Sequence, residues 1–196
     1  MPELQNGRMR NFFMSVKIHE YYMKQVFALL VTLHISISSF AQAGNVNSET
    51  LMIDWPDTEG WKVASNQENK EMKIIELLRG DETFDNWTEI GTMMVYPNIP
   101  YKVPVDTCMN IMFQQAKQSC PSAKLTFIEK DDKTKYPWII FKIECPVSSP
   151  ESQVWHIILG TNQMFVNFRA VKQKAVPEDL KNKWTAFFKT SKIVYQ

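Results

Sequence analysis

Two stretches of helical periodicity interrupt a chain that otherwise alternates apolar and polar residues, and this arrangement restricts the folds open to it. In the first stretch apolar side chains recur at i, i+3, i+4 and i+7, which predicts an amphipathic helix over residues 105–120. Asp106 or Thr107 is placed to cap its start, and Pro121 marks its end. The second helix begins near Pro177 and carries large apolar side chains on one face: Leu180, Trp184, Phe187 and Phe188.

Strand-like segments surround these helices. Three precede the first helix, at residues 61–67, 71–78 and 86–97, and four separate the helices, at residues 123–130, 136–144, 152–159 and 163–173. Gly160 and Asn162 tolerate positive φ and predict a hairpin between the last two strands. The order βββ-α-ββββ-α does not alternate strand with helix. It therefore predicts an α+β fold: a largely antiparallel sheet of about six or seven strands with two packed helices.

The N-terminal residues differ in character from the rest of the chain. Residues 23–43 combine Met23, Lys24, an apolar run and an Ala41-Gln42-Ala43 ending, which is the pattern of a secretory signal peptide cleaved before Gly44. Residues 1–22 are interpreted as an over-long N-terminal extension, with a long basic n-region as the alternative. Retention of the segment as a membrane anchor is the weaker alternative, because the apolar run is shorter than the roughly 20 residues that span a bilayer. We expect residues 44–196 to form a single domain that is periplasmic or secreted.

Overall charge favours no polyanionic partner. The chain has 22 Lys and Arg against 21 Asp and Glu, so it carries no basic patch large enough to predict binding to nucleic acid. We expect instead a cell-envelope protein or a small ligand as partner, no cofactor, no membrane span in the mature form and a monomeric state.

The cysteines suggest one disulfide. If residues 123–130 and 136–144 form a hairpin, Cys145 returns beside Cys120, within the Cα separation of roughly 4.4 to 6.8 Å that a disulfide needs. Cys108 lies about 18 Å away along the helix at 1.5 Å per residue, and its place on the apolar stripe predicts a buried thiol. A redox pair or a zinc site is a poorer interpretation, because neither a Cys-X-X-Cys pair nor four closely spaced ligands is present. No metal site is expected.

No catalytic motif stands out in the sequence. His156 is the one histidine after the signal segment, and neither a G-x-S-x-G elbow nor an H-E-x-x-H motif accompanies it. Four acids lie close together in sequence, at Asp81, Glu82, Asp85 and Glu89, although a solvated loop is the simpler interpretation. We therefore assign no catalytic residue. An extracytoplasmic hydrolase that uses these loop carboxylates and His156 is kept as the alternative function.

Some residues are candidates for a binding surface. Trp55 lies in the Pro- and Gly-containing stretch "IDWPDTEGW", and Trp87 begins a strand next to loop acids. Exposed aromatic rings in such places are common recognition elements. Arg169 is placed to orient a carboxylate or phosphate, with an ordinary surface ion pair as the simpler alternative. His156 completes the predicted surface.

The motifs also carry a resemblance. "GWK", "DNWTEIGT", a helix that ends "SCP", a strand that ends "ECP", a hairpin that closes on "FRA" and a last helix that begins "PEDL" resemble a family of uncharacterised exported bacterial proteins. The order of elements resembles the PsbP-like (Mog/PsbP) fold. That resemblance implies a soluble, non-enzymatic accessory or binding module, and it transfers no site residues.

Overall fold

The computed structural model describes residues 48–99, 103–147 and 150–195. The predicted signal segment and the extension before it lie outside these residues. The described helices are α1 (Val105–Ser119) and α2 (Glu178–Phe188). The strands are β1 (Glu49–Met52), β2 (Trp61–Glu68), β3 (Lys73–Arg79), β4 (Glu89–Pro97), β5 (Lys124–Asp131), β6 (Trp138–Cys145), β7 (Glu151–Leu159), β8 (Gln163–Val171) and β9 (Lys192–Tyr195), and a short 3-10 helix spans Asp57–Glu59.

Seven of the strands form one sheet, in the order β2-β3-β4-β8-β7-β6-β5, and every neighbouring pair in it is antiparallel. The predicted α+β class with two helices and a largely antiparallel sheet is confirmed. The sheet centre consists of β4 and β8, which pair from Glu89 with Val171 to Pro97 with Gln163. Among the described residues, no helix is long and apolar enough to cross a membrane.

The two helices pack on opposite faces of this sheet. Trp184 and Phe188 of α2 pack against Ile140, Val154 and Val171. Alternate residues of a strand point to opposite faces, so residues 139, 141, 143 and 145 of β6 point away from α2. A disulfide joins Cys145 to the residue that follows α1, which places α1 on this second face. Below, the two sides are called the α2 face and the α1 face.

The disulfide joins Cys120 and Cys145, as predicted, with their Cα atoms 6.1 Å apart. β5 and β6 pair antiparallel, from Lys124 opposite Glu144 to Asp131 opposite Trp138, and this return brings the two sulfurs together. Cys108 is a free, buried thiol on α1, also as predicted. Burial raises the pKa of that thiol, which keeps it protonated and unreactive.

Two predictions from the sequence are wrong in detail: the residue that caps the start of α1, and the positive φ expected in the β7–β8 turn. Neither Asp106 nor Thr107 caps α1: Pro104 occupies the N-cap position, and the Asp106 carboxylate instead accepts a hydrogen bond of 2.7 Å from Lys130 Nζ. The hairpin forms at Gly160 and Asn162, but neither residue has positive φ. Glycine is required at position 160 for another reason, because a Cβ there would lie 2.4 Å from the Glu49 carboxylate.

A second, two-stranded sheet was not predicted. β1 and β9 pair antiparallel, from Glu49 opposite Tyr195 to Met52 opposite Lys192. We call this pair the terminal ribbon. Its apolar residues Leu51 and Ile193 pack with Ile158 and Phe165, and Phe165 shares the α2 face with Val171 by strand alternation. The ribbon therefore adds a second layer beside α2.

Candidate functional site

A cleft of about 380 Å³ lies between the terminal ribbon and the α2 face of β3, β4 and β8. Its remaining wall is the turn between β2 and β3. We call it the ribbon cleft. Its volume falls within the roughly 300 to 1,000 Å³ typical of small-molecule sites. Apolar side chains supply much of its wall: Leu51, Met72, Ile75, Met93, Val95 and Phe165.

Asn167 is the unusual residue of this wall. It lies on β8 between Phe165 and Arg169 and is opposite Met93 of β4. The side chain is only 1% exposed, and its Nδ2 has no hydrogen-bond partner among the described residues. Buried amide groups in folded proteins are nearly always paired, so an unpaired one requires an explanation. Nδ2 itself is buried beneath the cleft surface, and His156, which lies opposite Asn167 on β7, also has an unpaired nitrogen, Nδ1.

Glu49 fixes the ribbon at one end of the cleft. Its carboxylate accepts hydrogen bonds from the backbone N–H groups of Thr161 and Asn162, at 2.8 and 3.1 Å, and from the Tyr195 hydroxyl at 3.1 Å. Burial by itself would raise the pKa of Glu49, but these hydrogen bonds outweigh it and lower the pKa. The carboxylate is thus occupied in joining β1, β9 and the β7–β8 turn, and it holds the ribbon in place.

The charged residues at the opposite end of the cleft neutralise one another. Lys73 Nζ lies 3.8 Å from Glu68 Oε2, and both side chains are well exposed to solvent. Such an exposed pair contributes little to stability. Because the two charges offset each other, this end of the cleft presents no net charge to a ligand.

Arg169 is not part of a surface, which corrects its predicted placement. Its side chain is 0% exposed, and Nη2 donates to Glu59 at 2.9 Å and to Glu89 at 3.0 Å. Aromatic rings enclose the guanidinium at 4.6 to 5.7 Å from their centroids: Trp55, Trp61, Trp184 and Phe187. Arg169 does form ion pairs, but they are buried and not at the surface as the alternative had it, and this arrangement leaves no face of the guanidinium open to a carboxylate or phosphate ligand.

Glu59 is the main counter-charge of that cluster. It also accepts a hydrogen bond from Trp61 Nε1 at 3.0 Å and pairs with Lys183 at 2.9 Å. Burial would raise its pKa, but the bonds from Lys183, Arg169 and Trp61 outweigh burial and lower the pKa to about 2. The cluster is a buried structural network in which Glu59 stays ionised, although Nε and Nη1 of Arg169 have no hydrogen-bond partner among the described residues.

The two predicted surface tryptophans are both half-buried and lie in different places. Trp55 packs against Trp61 and Phe187 at 4.9 Å, and its Nε1 donates to Met93 Sδ at 3.4 Å, so it supports the ribbon cleft from behind. A Cβ on Gly91 would lie 2.1 Å from the Trp55 ring, so this ring needs a glycine on β4. Trp87 packs near Leu78 and Ile90, with Lys172 Nζ 4.5 Å from its ring centroid.

His156 is also buried, which corrects its placement on a surface. It is 2% exposed and lies between the rings of Trp138 and Phe188, at 6.2 and 5.6 Å. Burial lowers its pKa to about 3, so the ring stays neutral at ordinary pH. It lines neither the ribbon cleft nor a smaller cavity of about 190 Å³ near the start of α1. A general base must reach its substrate, and nothing in this position brings substrate to His156.

The predicted cluster of acids separates into individual roles. Glu89 pairs with Arg79 and Arg169, Glu82 accepts hydrogen bonds from the backbone N–H and hydroxyl of Thr88, and Asp81 and Asp85 are exposed. No group of three or more His, Cys, Asp or Glu residues in the described ranges is arranged to hold a metal ion. The structure thus brings no pair of these acids together as acid and base.

The residues that form the ribbon cleft were missed by reasoning from the sequence. One signal was present: Asn167 follows the apolar run Met164–Val166 in the central strand "QMFVNFRAV". A polar amide in such a strand usually marks a specific partner. The rest of the cleft depends on the terminal ribbon, whose strands are four residues each and too short to show periodicity.

No protein-family model and no curated protein matches the chain. Among solved structures the chain is similar to cyanobacterial PsbP (CyanoP) from Synechocystis sp. PCC 6803, known from a solution structure. The TM-score is 0.40 and the sequence identity is 10%, over 81% of this chain and 99% of that chain. We draw no family membership or function from a likeness at this level.

Proposed function

We propose that the protein is an exported, non-enzymatic binding module and that its ribbon cleft holds a small, largely apolar molecule. The observation that carries this proposal is the cleft itself, about 380 Å³, in which apolar side chains line the sheet and the ribbon and polar side chains supply half of the lining residues. Pockets that combine apolar walls with a few placed polar groups are the usual form of small-molecule sites. The hydrolase alternative gains no support, because His156 is buried away from both cavities.

Export is supported by the cysteine chemistry. A disulfide such as Cys120–Cys145 persists in oxidising compartments and is rare in the cytosol. Together with the signal-peptide pattern of residues 23–43, it favours a periplasmic or secreted protein. Mass spectrometry of the protein recovered outside the cytoplasm tests this. We expect a chain that begins at Gly44 and is two hydrogens lighter than its fully reduced form, whereas a chain that retains residues 23–43 would contradict cleavage.

Binding is tested with a fluorescent apolar probe and a variant that fills the cleft. Ile75 lines the cleft from β3 and is half-buried, so Ile75→Trp places an indole where the ligand would lie. Nile red, a neutral apolar dye, is titrated into the protein purified after export. We expect saturable binding by the wild-type protein and at least tenfold weaker binding by Ile75→Trp.

The matched control makes the same substitution elsewhere. Ile111 is 45% exposed on α1 and does not line the cleft, so Ile111→Trp should bind the dye as the wild type does. Any dye that still binds to Ile75→Trp is bound outside the cleft. Equal binding by wild type, Ile75→Trp and Ile111→Trp would contradict the proposed function.

A further inference from the structure

We infer that the ligand of the ribbon cleft is an extended peptide segment of another protein, which adds to the free edge of β1 as a third strand of the terminal ribbon and places apolar side chains against the sheet. This inference rests on the proposed function and names the class of molecule that the same cleft takes. Four consecutive residues, Ser48 to Leu51, line the cleft. A strand that presents one face contributes alternate residues, so the edge of β1 faces the cleft.

That edge of β1 carries unpaired backbone groups. β1 pairs with β9 and with no other described strand. Within the part of the chain that the structure describes, no backbone hydrogen bond outside this ladder involves residues 48–52. In an antiparallel pair, alternate residues direct their N–H and C=O groups away from the partner strand. These groups of β1 therefore point towards the cleft without a strand partner, and such an edge is a template for pairing with another chain.

The other free strand edges are less suited to pairing. The edge strands of the main sheet, β2 and β5, each contain a β-bulge, between Val63 and Ser65 and between Phe127 and Glu129. Bulges interrupt pairing, and natural proteins use them to protect exposed edges. β1 keeps one register with β9 along its whole length. The residues of β9 line neither described cavity, so its free edge has no apolar cleft beside it.

The sheet beneath the free edge of β1 suits alternate apolar side chains. β9 lies on the side of the ribbon towards β6, since the Tyr195 hydroxyl is 2.8 Å from that of Tyr136, just before β6. The free edge of β1 therefore faces β4 and β3, where Ile75, Met93 and Val95 line the cleft. Neighbouring strands lie about 4.8 Å apart and stacked sheets about 10 Å apart. A strand added to β1 would lie above these three residues and direct every second side chain at them.

The N terminus of the chain is too short to fill this place after the proposed cleavage. Residues 44–47 would precede Ser48, and a two-residue hairpin turn would leave only two residues to pair. β1 has four residues, so at about 3.4 Å per residue a full partner strand is about 14 Å long. A segment from outside the chain is therefore needed to cover the edge.

The test uses a peptide designed for this pairing and two modified forms of it. The probe is a blocked heptapeptide, Lys-Val-Thr-Val-Thr-Val-Lys, with valines to face the sheet and lysines for solubility. One modified form carries N-methyl groups on two valines, and the other carries them on both threonines. The N–H groups of the valines and of the threonines point to opposite edges of such a strand, so only one set meets β1. By titration calorimetry, we expect one modified form to bind about tenfold or more weakly than the probe, and the other to bind within about twofold of it.

Two protein variants locate the binding. Ile75→Trp should weaken binding of the probe about tenfold or more, because the indole occupies the place of the valines. Ile111→Trp changes an exposed residue of α1 outside the cleft, so this variant should bind the probe as the wild type does.

Amide hydrogen exchange, followed by NMR, tests the pairing in the wild-type protein. In the free protein, two alternate amides of residues 49–52 should be protected by β9 and the other two should exchange faster. We expect the probe to slow exchange of the faster two by about tenfold or more. Exchange along the bulged edge of β5, outside the cleft, is the control and should not change.

The outcomes separate this inference from the proposed function. If Nile red binds and the probe does not, if the two modified peptides bind alike, or if the probe leaves exchange in β1 unchanged, the ligand is not an added strand and the inference is wrong. If exchange at residues 49–52 slows with rising protein concentration and no peptide, a second copy fills the edge, which also contradicts it. If neither Nile red nor the probe binds, the proposed function itself fails.

Discussion

Arg169 illustrates how strongly the surroundings of one residue decide its role. Its guanidinium lies among four aromatic rings and two carboxylates, so a side chain that in isolation suits anion binding is here a structural centre. Asn167, two residues earlier on the same face, lacks such a partner. The guanidinium is itself only partly paired, because its Nε and Nη1 have no hydrogen-bond partner among the described residues, so the rings and the two carboxylates are what define its structural role.

Removal of the Arg169 charge should destabilise the fold strongly. Arg169→Met leaves Glu59 and Glu89 without their shared buried partner, and such a loss costs about 3 to 5 kcal/mol of the free energy of unfolding. Urea unfolding measures it. Arg79→Met is the matched control: Arg79 also pairs with Glu89, but it is partly exposed, so we expect a loss of about 1 kcal/mol. Equal losses for both variants would contradict the structural role of Arg169.

His156 should make stability depend on pH. Its pKa is about 3 in the folded protein and 6.5 in its ordinary state, so between these values the unfolded chain binds more protons. Above pH 6.5 the histidine is neutral in both states and does not lower the free energy of unfolding. As pH falls below 6.5, it lowers the free energy of unfolding by about 1.4 kcal/mol per pH unit. His156→Phe should remove this slope between pH 6.5 and 5.

That window isolates the histidine for two reasons. Glu59 has a pKa of 4.5 in its ordinary state and of about 2 in the folded protein, so its contribution to the free energy of unfolding is lost only as pH falls between these two values. Burial raises the pKa of Glu76, so this residue makes the free energy of unfolding rise as pH falls, opposite to His156. The effect of Glu76 is present in both the wild type and His156→Phe, and it cancels when their slopes are compared. Urea unfolding at several pH values gives both slopes. An unchanged slope in His156→Phe would contradict a neutral, buried His156.

At the scale of elements, the disulfide fastens the end of α1 to the sheet. The bond closes a loop between residues 25 positions apart, and loops of this length are stabilised by about 3 kcal/mol through restriction of the unfolded chain. The double substitution Cys120→Ala/Cys145→Ala should lower the free energy of unfolding by about that amount, measured with urea. A loss below about 0.5 kcal/mol would contradict a stabilising role for this bond.

A thiol count provides the control for that experiment. Cys108 is buried and is the one free cysteine, so an aromatic disulfide reagent should detect no thiol in the folded wild-type protein and one after denaturation. The double variant should give the same counts. If the wild-type protein instead yields three thiols on denaturation, the disulfide is absent. Any difference in the free energy of unfolding between the wild type and the double variant then has another cause.

The terminal ribbon is the element that turns a sheet face into a cleft. β1 and β9 come from opposite ends of the described chain, and Glu49 joins them to the β7–β8 turn. Without that layer, Ile75, Met93 and Val95 would form an open apolar patch on the α2 face. The ribbon and Gly160, which leaves room for the Glu49 carboxylate, are therefore as important to the site as the residues that line it.

At the scale of the whole molecule, local patterns and long-range contacts differ in how well a sequence reveals them. α1, α2 and the seven strands of the main sheet were predicted because periodicity is a property of neighbouring residues. The Cys120–Cys145 pair was predictable because one hairpin brings its ends together. The burial of Arg169 was not, since the rings that enclose it come from residues as far apart as 55 and 187.

The same reason explains why the binding site was missed. The ribbon cleft combines β1, the β2–β3 turn and strands β3, β4 and β8, and no short segment contains enough of it to form a motif. The predicted surface residues were chosen for their chemical types, and tertiary contacts then buried Arg169 and His156.

The central claim is that the ribbon cleft binds a small apolar molecule, and methionine methyl resonances test it most directly. Met72 and Met93 line the cleft, whereas Met109 and Met112 are buried on α1, on the other face of the sheet. The protein is labelled with carbon-13 at its methionine methyl groups and titrated with Nile red. We expect the resonances of Met72 and Met93 to shift and saturate while those of Met109 and Met112 stay in place. Saturable binding that leaves Met72 and Met93 unshifted would contradict the account.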